Sequence, residues 1–368
     1  MKENYYDKAI SFEHLYKGLK SACRNVRWKD SVIRYEAYGL RNTYLLRQAL
    51  LNGTYEISPY QTFKVHEPKE RLIYAPRLVD RQLQHALCDT GLYDDIAEHF
   101  IRDSMACQKG RGTDDALHRF KVHLRRYFNQ HGLDGWVLKC DIHHFFPTTP
   151  HDTAKAAARK YISDPQAADM VCRVVDSFDG EIGLGLGSQI SQIMELLVLN
   201  DLDHFIKERL HIKYYIRYMD DFLLIHPDKA YLQYCLREIE VKLTMLGLSL
   251  NRKTNIQPLH HGVMFLKWHY YILPTGRIIM KINKCKRAKQ RRRLTKLYAR
   301  EQEGLAAVGS TANSLISFLA NAKRGNAYKL RREMRQFYHQ LTGSELRERK
   351  LSKNKARRST KCRNRAIS

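Results

Sequence analysis

Carboxylates are scarce in this sequence: 38 aspartates and glutamates stand against 64 lysines and arginines, a formal charge of +26 at neutral pH. Such an excess is more than solubility requires and calls for a polyanionic partner, most simply nucleic acid, where each phosphate neutralised releases counterions. Paired cysteines are lacking too. The eight cysteines are dispersed with no CxxC spacing, which argues against a zinc ribbon or a disulfide framework and suits a reducing cytosol. No apolar run approaches the roughly 18 residues of a membrane span, and Met1 to Leu19 lacks the apolar core of a signal peptide. A soluble cytoplasmic protein with no membrane partner is expected.

What is present is enough for a sizeable core, with 43% hydrophobic residues in 368. The first 55 residues have helical spacing and close on Asn52-Gly53. Two short strands, QTFKV and RLIYA, follow, then a helix over 79–97, the loop CQKGRGTDD and a helix from Ala116 to Phe128. The run WVLKCDIHHFF predicts a buried strand ending at Pro147, and a helix is expected from Thr153 to Phe178. After the glycine-rich link GEIGLGLGSQ come a helix from Ile190 to Arg209, the hairpin YYIRYMDDFLLI, a helix from Ala230 to Leu246 and short strands around Phe265 and Ile278. This order describes an α+β fold, an antiparallel sheet with helices on one face. Beyond Lys281 the composition turns basic, with eight cations in the thirteen residues KINKCKRAKQRRR.

Within YYIRYMDDFLLI, Asp220 and Asp221 occupy a hairpin turn where glycine or asparagine would be expected. Asp141 ends the strand WVLKC. If the two strands are neighbours, three acids converge, and without neutralisation they repel one another. Hard Mg²⁺ prefers such oxygens. Two such ions roughly 4 Å apart can activate a 3′ hydroxyl and stabilise departing pyrophosphate, an in-line phosphoryl transfer. The alternative has Asp220 and Asp221 as solvated turn residues and Asp141 as a cap.

Tyr218-Met219-Asp220-Asp221 resembles the YxDD box of reverse transcriptases, and CDIHHFF resembles their first catalytic motif. The resemblance runs from about Phe12 to Phe265 and implies a right-hand polymerase: an N-terminal helical extension over 1–55, fingers over 56–135, palm over 136–280, helical basic thumb over 281–345 and a basic, disordered tail over 346–368. It implies that Asp141, Asp220 and Asp221 bind two Mg²⁺ ions, for which Mn²⁺ can substitute. Lys253, in LGLSLNRKTNI, would be the general acid. Lys69 and Arg71 would hold the incoming triphosphate. Phe146 would be the steric gate against a 2′ hydroxyl, while Phe145, facing the other way on a strand, would join the core.

Leu186, Gly187 and Gln192 of GLGLGSQISQ would line the nucleotide site, with Leu186 where related enzymes carry a glutamine. Arg81, Lys109, Arg111, Tyr218, Met219, Leu266, Trp268, Lys284 and Arg291 would contact primer and template, Leu266 and Trp268 as the primer grip. Lys267 replaces a common glycine there and puts the grip's turn in question. The link, with DSMACQKGRGT and FKVHEPKERLI, is similar to diversity-generating retroelement and antiphage-defence enzymes of bacteria, the latter favoured by the absence of a Gly-Leu-Pro start. Expected partners are a structured noncoding or template RNA, the cDNA product and dNTPs, with an accessory protein or a second copy also possible. A catalytically idle, maturase-like RNA binder is the remaining alternative.

Overall fold

The structure, a computed structural model, describes residues 4–66 and 70–346. The chain divides into two compact units, the first ending at His261 and the second beginning at Gly262.

The first unit opens with α1 (Tyr5–Ala9), α2 (Phe12–Ala22), α3 (Asp30–Ala37) and α4 (Gly39–Leu51), followed by the antiparallel hairpin β1 (Gln61–Val65) and β2 (Arg71–Ala75). Helices α5 (Leu78–Leu87) and α6 (Tyr93–Ala97), joined through a π turn, lead to α7 (Thr113–His131) and β3 (Trp136–Asp141). Next come α8 (Phe145–Thr148), α9 (His151–Tyr161), α10 (Pro165–Asp176), α11 (Gln189–Val198) and α12 (Asn200–His204). Strands β4 (Tyr214–Tyr218) and β5 (Asp221–His226), helix α13 (Lys229–Met245) and β6 (Asn255–Pro258) complete it. The four central strands run antiparallel in the order β4-β5-β3-β6. Leu138, Cys140, Phe222 and Leu224 carry this sheet into one core with α9, α10 and α11.

Two predicted elements end earlier than their hydrophobic pattern suggests. The strand over WVLKC stops at Asp141, not Pro147, because His144 turns the chain with φ +45° into α8. Proline is tolerated in a first helical turn, where its missing N–H costs no bond. Phe145 and Phe146 therefore lie on a helix; Phe145 is buried and Phe146 half-buried, packed against the main core. The helix expected over 153–178 is two helices. Asp164 caps the second by accepting from the backbone of Gln166 and Ala167, with Pro165 at its first position.

The second unit contains the meander β7 (Val263–Phe265), β8 (Trp268–Ile272) and β9 (Ile278–Ile282) and the helices α14 (Lys284–Gln302), α15 (Ser310–Ala322) and α16 (Tyr328–Thr342). Leu294, Leu315, Leu319, Met334 and Tyr338 form its helical core. The meander belongs with these helices, although the sequence changes composition only at Lys281. Asn326 supplies the join: its side chain accepts from the Met280 N–H at 2.9 Å and its N–H donates to the Met280 carbonyl at 2.8 Å. The expected disordered tail lies outside the described residues from 347 onward.

The outer edge of β4 is covered by residues 103–105, whose backbone exchanges hydrogen bonds with Arg217. Asp103 anchors that segment. Its carboxylate accepts from Arg119 at 2.6 Å and His123 at 2.8 Å and meets the Lys207 amine at 3.3 Å. Burial alone would raise its pKa, but the bonds from His123 and Arg119 outweigh burial and hold it well below the usual carboxylate range. A depressed carboxyl stabilises the fold above its unfolded value of about 3.9 and loses that contribution as pH falls toward the folded value. Asp103→Asn is expected to cost on the order of 2–4 kcal/mol at pH 7, with the gap in melting temperature between variant and parent narrowing below pH ~4. A gap independent of pH would rule the ionic role out.

Candidate active site

The β3–β5 register sets Asp141 directly opposite Asp221, a position where Cβ atoms lie about 4.5–5.5 Å apart. Asp220 shares with Met219 the two-residue turn between β4 and β5. Backbone bonds bind three segments at this end of the sheet. The Ile142 N–H donates to the Asp220 carbonyl at 3.2 Å, the Asn251 N–H to the Asp141 carbonyl at 2.7 Å, and the His143 N–H to the Ser249 carbonyl at 2.9 Å. Sequence reading missed Ile142 and Asn251 because main-chain donors leave no mark on residue type.

Burial pushes the Asp221 carboxyl up to about 6; Lys139 opposes the rise and the charges of Asp141 and Asp220 add to it. The Lys139 amine lies 3.7 Å from Asp221 Oδ1, which is buried and has no hydrogen-bond partner. Glu195 is completely buried close by, its oxygens 3.1 and 3.2 Å from the Thr149 hydroxyl that donates to them. Burial, with the Asp220 charge adding, holds Glu195 well above the usual carboxylate range.

Among the described residues no three His, Cys, Asp or Glu side chains are arranged to hold a metal ion. The expected closure of Asp141, Asp220 and Asp221 on shared ions is therefore not present as side-chain geometry. The Asp221 carboxylate faces the Lys139 amine. The chemistry of the donors nonetheless fits a hard divalent cation: three carboxylates at one sheet end, one with a buried oxygen that has no hydrogen-bond partner.

The glycine-rich link runs beside this end. The Leu184 N–H donates to the Phe146 carbonyl at 2.8 Å, and the Leu186 carbonyl accepts from the Tyr74 N–H at 2.7 Å, tying the link to β2. Arg71 starts β2 and is exposed. Gly187 is exposed with φ +123°. Gln192 is exposed on α11, its Oε1 3.6 Å from the Cys107 thiol, which also lies 3.9 Å from the Met219 sulfur. Tyr218 shares a 3.2 Å hydrogen bond with Thr113, and Lys253 is exposed two residues past Asn251. Lys69 lies outside the described residues.

Several residues expected at primer and template also make contacts within the chain. Arg81 donates to the Ala22 carbonyl at 3.0 Å, and Arg111 clamps its own loop through the carbonyls of Ile101 and Ser104. Lys109 is exposed and pairs with Asp94 at 3.2 Å. In the second unit, Trp268 is 2% exposed, and a Cβ on Gly325 would lie 2.4 Å from its ring. Its ring is a core element rather than an open platform. The Arg291 guanidinium stacks 4.9 Å from the Phe337 ring centre, and Lys284 begins α14. The turn put in question by Lys267 does form: Leu266 and Lys267 take φ +47° and +70°, with Phe265 opposite Trp268. The Lys286 amine donates to the Lys267 carbonyl at 3.2 Å, one bond that holds the turn without glycine.

Residues 64–266, more than half of the chain, match the family model described as reverse transcriptase (RNA-dependent DNA polymerase). The chain belongs to the reverse transcriptase family. The matched domain is that of an RNA-directed DNA polymerase, a nucleotidyltransferase, and the α+β architecture is its right-hand polymerase fold. Reverse transcriptases in general use divalent metal ions. No curated protein matches the sequence. Among solved structures, telomerase from Candida albicans in complex with a telomeric RNA fragment is 14% identical with a TM-score of 0.49, covering 80% of this chain and 56% of that one. Apo telomerase from Candida tropicalis is 11% identical with a TM-score of 0.47, covering 78% and 63%. This reverse transcriptase chain thus spans 56% and 63% of those two telomerase chains.

Proposed function

We propose that this reverse transcriptase copies RNA into DNA by nucleotidyl transfer centred on Asp141, Asp220 and Asp221. The observation that carries this reading is the β3–β5 register, which brings the acid of one strand end opposite the acids of the catalytic hairpin. The three carboxylates would hold two Mg²⁺ or Mn²⁺ ions, which when bound activate a primer 3′ hydroxyl and neutralise the departing pyrophosphate. Phe146, beside the link, would limit room at the sugar. Arg71 on β2 would meet the triphosphate, and Lys253 would protonate pyrophosphate as it leaves.

The test is dNTP incorporation on poly(rA)/oligo(dT) with Mg²⁺ or Mn²⁺. No incorporation from any primer, with RNA binding retained, would turn the reading to an idle RNA binder. We further propose a dedicated noncoding RNA as template and antiphage defence in a bacterial cytoplasm as the use, on the strength of the GLGLGSQISQ run. Loss of phage protection in Asp220→Ala cells would support that use. An adenine-substituted repeat pair beside the gene would assign it to diversity generation. Leu186 replaces a glutamine donor near sugar and base, so Leu186→Gln is expected to lower misincorporation several-fold in primer extension. Unchanged error rates would dismiss that role.

A further inference from the structure

Arg217 heads the fully buried side chains by volume. It lies one position before the Tyr218-Met219-Asp220-Asp221 box and points into the core. Its Nε and Nη2 donate to the two oxygens of Asp203 at 2.7 and 2.5 Å. Nη2 also reaches the Leu196 carbonyl at 3.5 Å, and Nη1 donates to the Met219 carbonyl at 3.2 Å. Asp203, itself fully buried, accepts from the Tyr215 hydroxyl at 2.6 Å. The Arg217 backbone is fixed as well, its N–H on the Asp103 carbonyl at 2.9 Å and its carbonyl on the Met105 N–H at 3.0 Å.

Met219 has φ +56° in a two-residue turn whose first central position ordinarily takes glycine when φ is positive. A methionine there needs an external restraint. The carbonyl that Arg217 grips belongs to the Met219–Asp220 peptide, so the grip sets the plane from which Asp220 departs. We propose that Arg217, oriented by Asp203, is a positioning residue for nucleotidyl transfer: it fixes the catalytic turn and thereby the aim of the Asp220 and Asp221 carboxylates. Stability alone does not call for this pair, since a buried ion pair can often be exchanged for apolar residues of similar volume without loss. Holding one carboxylate and two carbonyls at once takes the several donors of a planar guanidinium, which lysine lacks.

The inference rests on the reading of Asp220 and Asp221 as the polymerase acids, and the experiment separates the two. Arg217→Met/Asp203→Leu removes the charges and keeps the volume. It is expected to melt close to the parent, with dNTP KM little changed and kcat about 10- to 100-fold lower. Mn²⁺ affinity, read by electron paramagnetic resonance on the full chain without nucleic acid, should fall as well. Should the double variant fail to fold, Arg217→Lys keeps the charge beside Asp203 while losing the Met219 bond, and the same two losses are expected. Parental kcat and Mn²⁺ affinity in either folded variant overturn the inference. Asp220→Ala runs alongside: if it still incorporates dNTP, the reading of the acids falls and this inference with it. If Asp220→Ala is dead while the Arg217 variants match the parent, only the positioning role falls.

Discussion

Asp220→Ala is expected to lower DNA synthesis on an RNA template by on the order of a thousandfold or more, with RNA binding and the melting temperature preserved. The expected stability follows from the electrostatics of the site. Burial raises Asp221, and the charges of Asp141 and Asp220 raise it further, so the cluster opposes its own ionisation. Deleting one carboxylate relieves that repulsion and leaves the β4–β5 ladder intact, because the bond from the Ile142 N–H is accepted by the Asp220 main-chain carbonyl. Primer extension and thermal melting on the same preparation decide the matter. Wild-type synthesis by a folded Asp220→Ala protein would mean that the sheet end is not the reaction centre. A melting temperature well below the parent would mean that the Asp220 side chain serves the fold.

The sheet that carries the acids was legible because its strands are buried on both sides of a charged tip. WVLKC and YYIRYM–DFLLI are apolar runs too short for helices, and hairpin connectivity left few ways to pair them. Element ends were less legible. The strand before Pro147 and the helix over 153–178 both continued in hydrophobic pattern past their real ends, and local backbone chemistry at His144 and at Asp164-Pro165 settled them. Arg217 was in view all along, one charge inside a buried strand, yet its meaning depended on Asp203, fourteen residues earlier on another element. Trp268 and Arg111 show the converse. A motif position assigned them to nucleic acid, but whether a ring or a guanidinium faces solvent depends on neighbours such as Gly325 and Ser104, which no local pattern encodes.

Gly187→Ala is expected to weaken nucleotide binding more than it weakens the fold. Gly187 has φ +123°, and a Cβ there would stand 2.7 Å from the Tyr74 carbonyl oxygen and 3.1 Å from Ile73 Cγ2. The backbone oxygen cannot rotate away as a flexible side chain would, so β2 must move off the link and strain the 2.7 Å bond between the Tyr74 N–H and the Leu186 carbonyl. The backbone conformation costs ~1–3 kcal/mol for a residue other than glycine, and a lost hydrogen bond adds about 1 kcal/mol. β1 and β2 form a separate two-stranded sheet, β1 exposed throughout and β2 half-buried at Ile73, Tyr74 and Ala75, so the displacement reaches the main core chiefly through Tyr74, which packs against it. Arg71, however, moves with β2, and dNTP KM is expected to rise about tenfold if one charge-assisted contact of ~1.4 kcal/mol is lost. Gly180→Ala supplies the comparison, since Gly180 has φ +80° with nothing within 4 Å of its would-be Cβ: it should cost stability through the backbone alone and leave KM unchanged. An equal rise in KM for both variants would show that the bond between link and β2 has no part in holding the nucleotide.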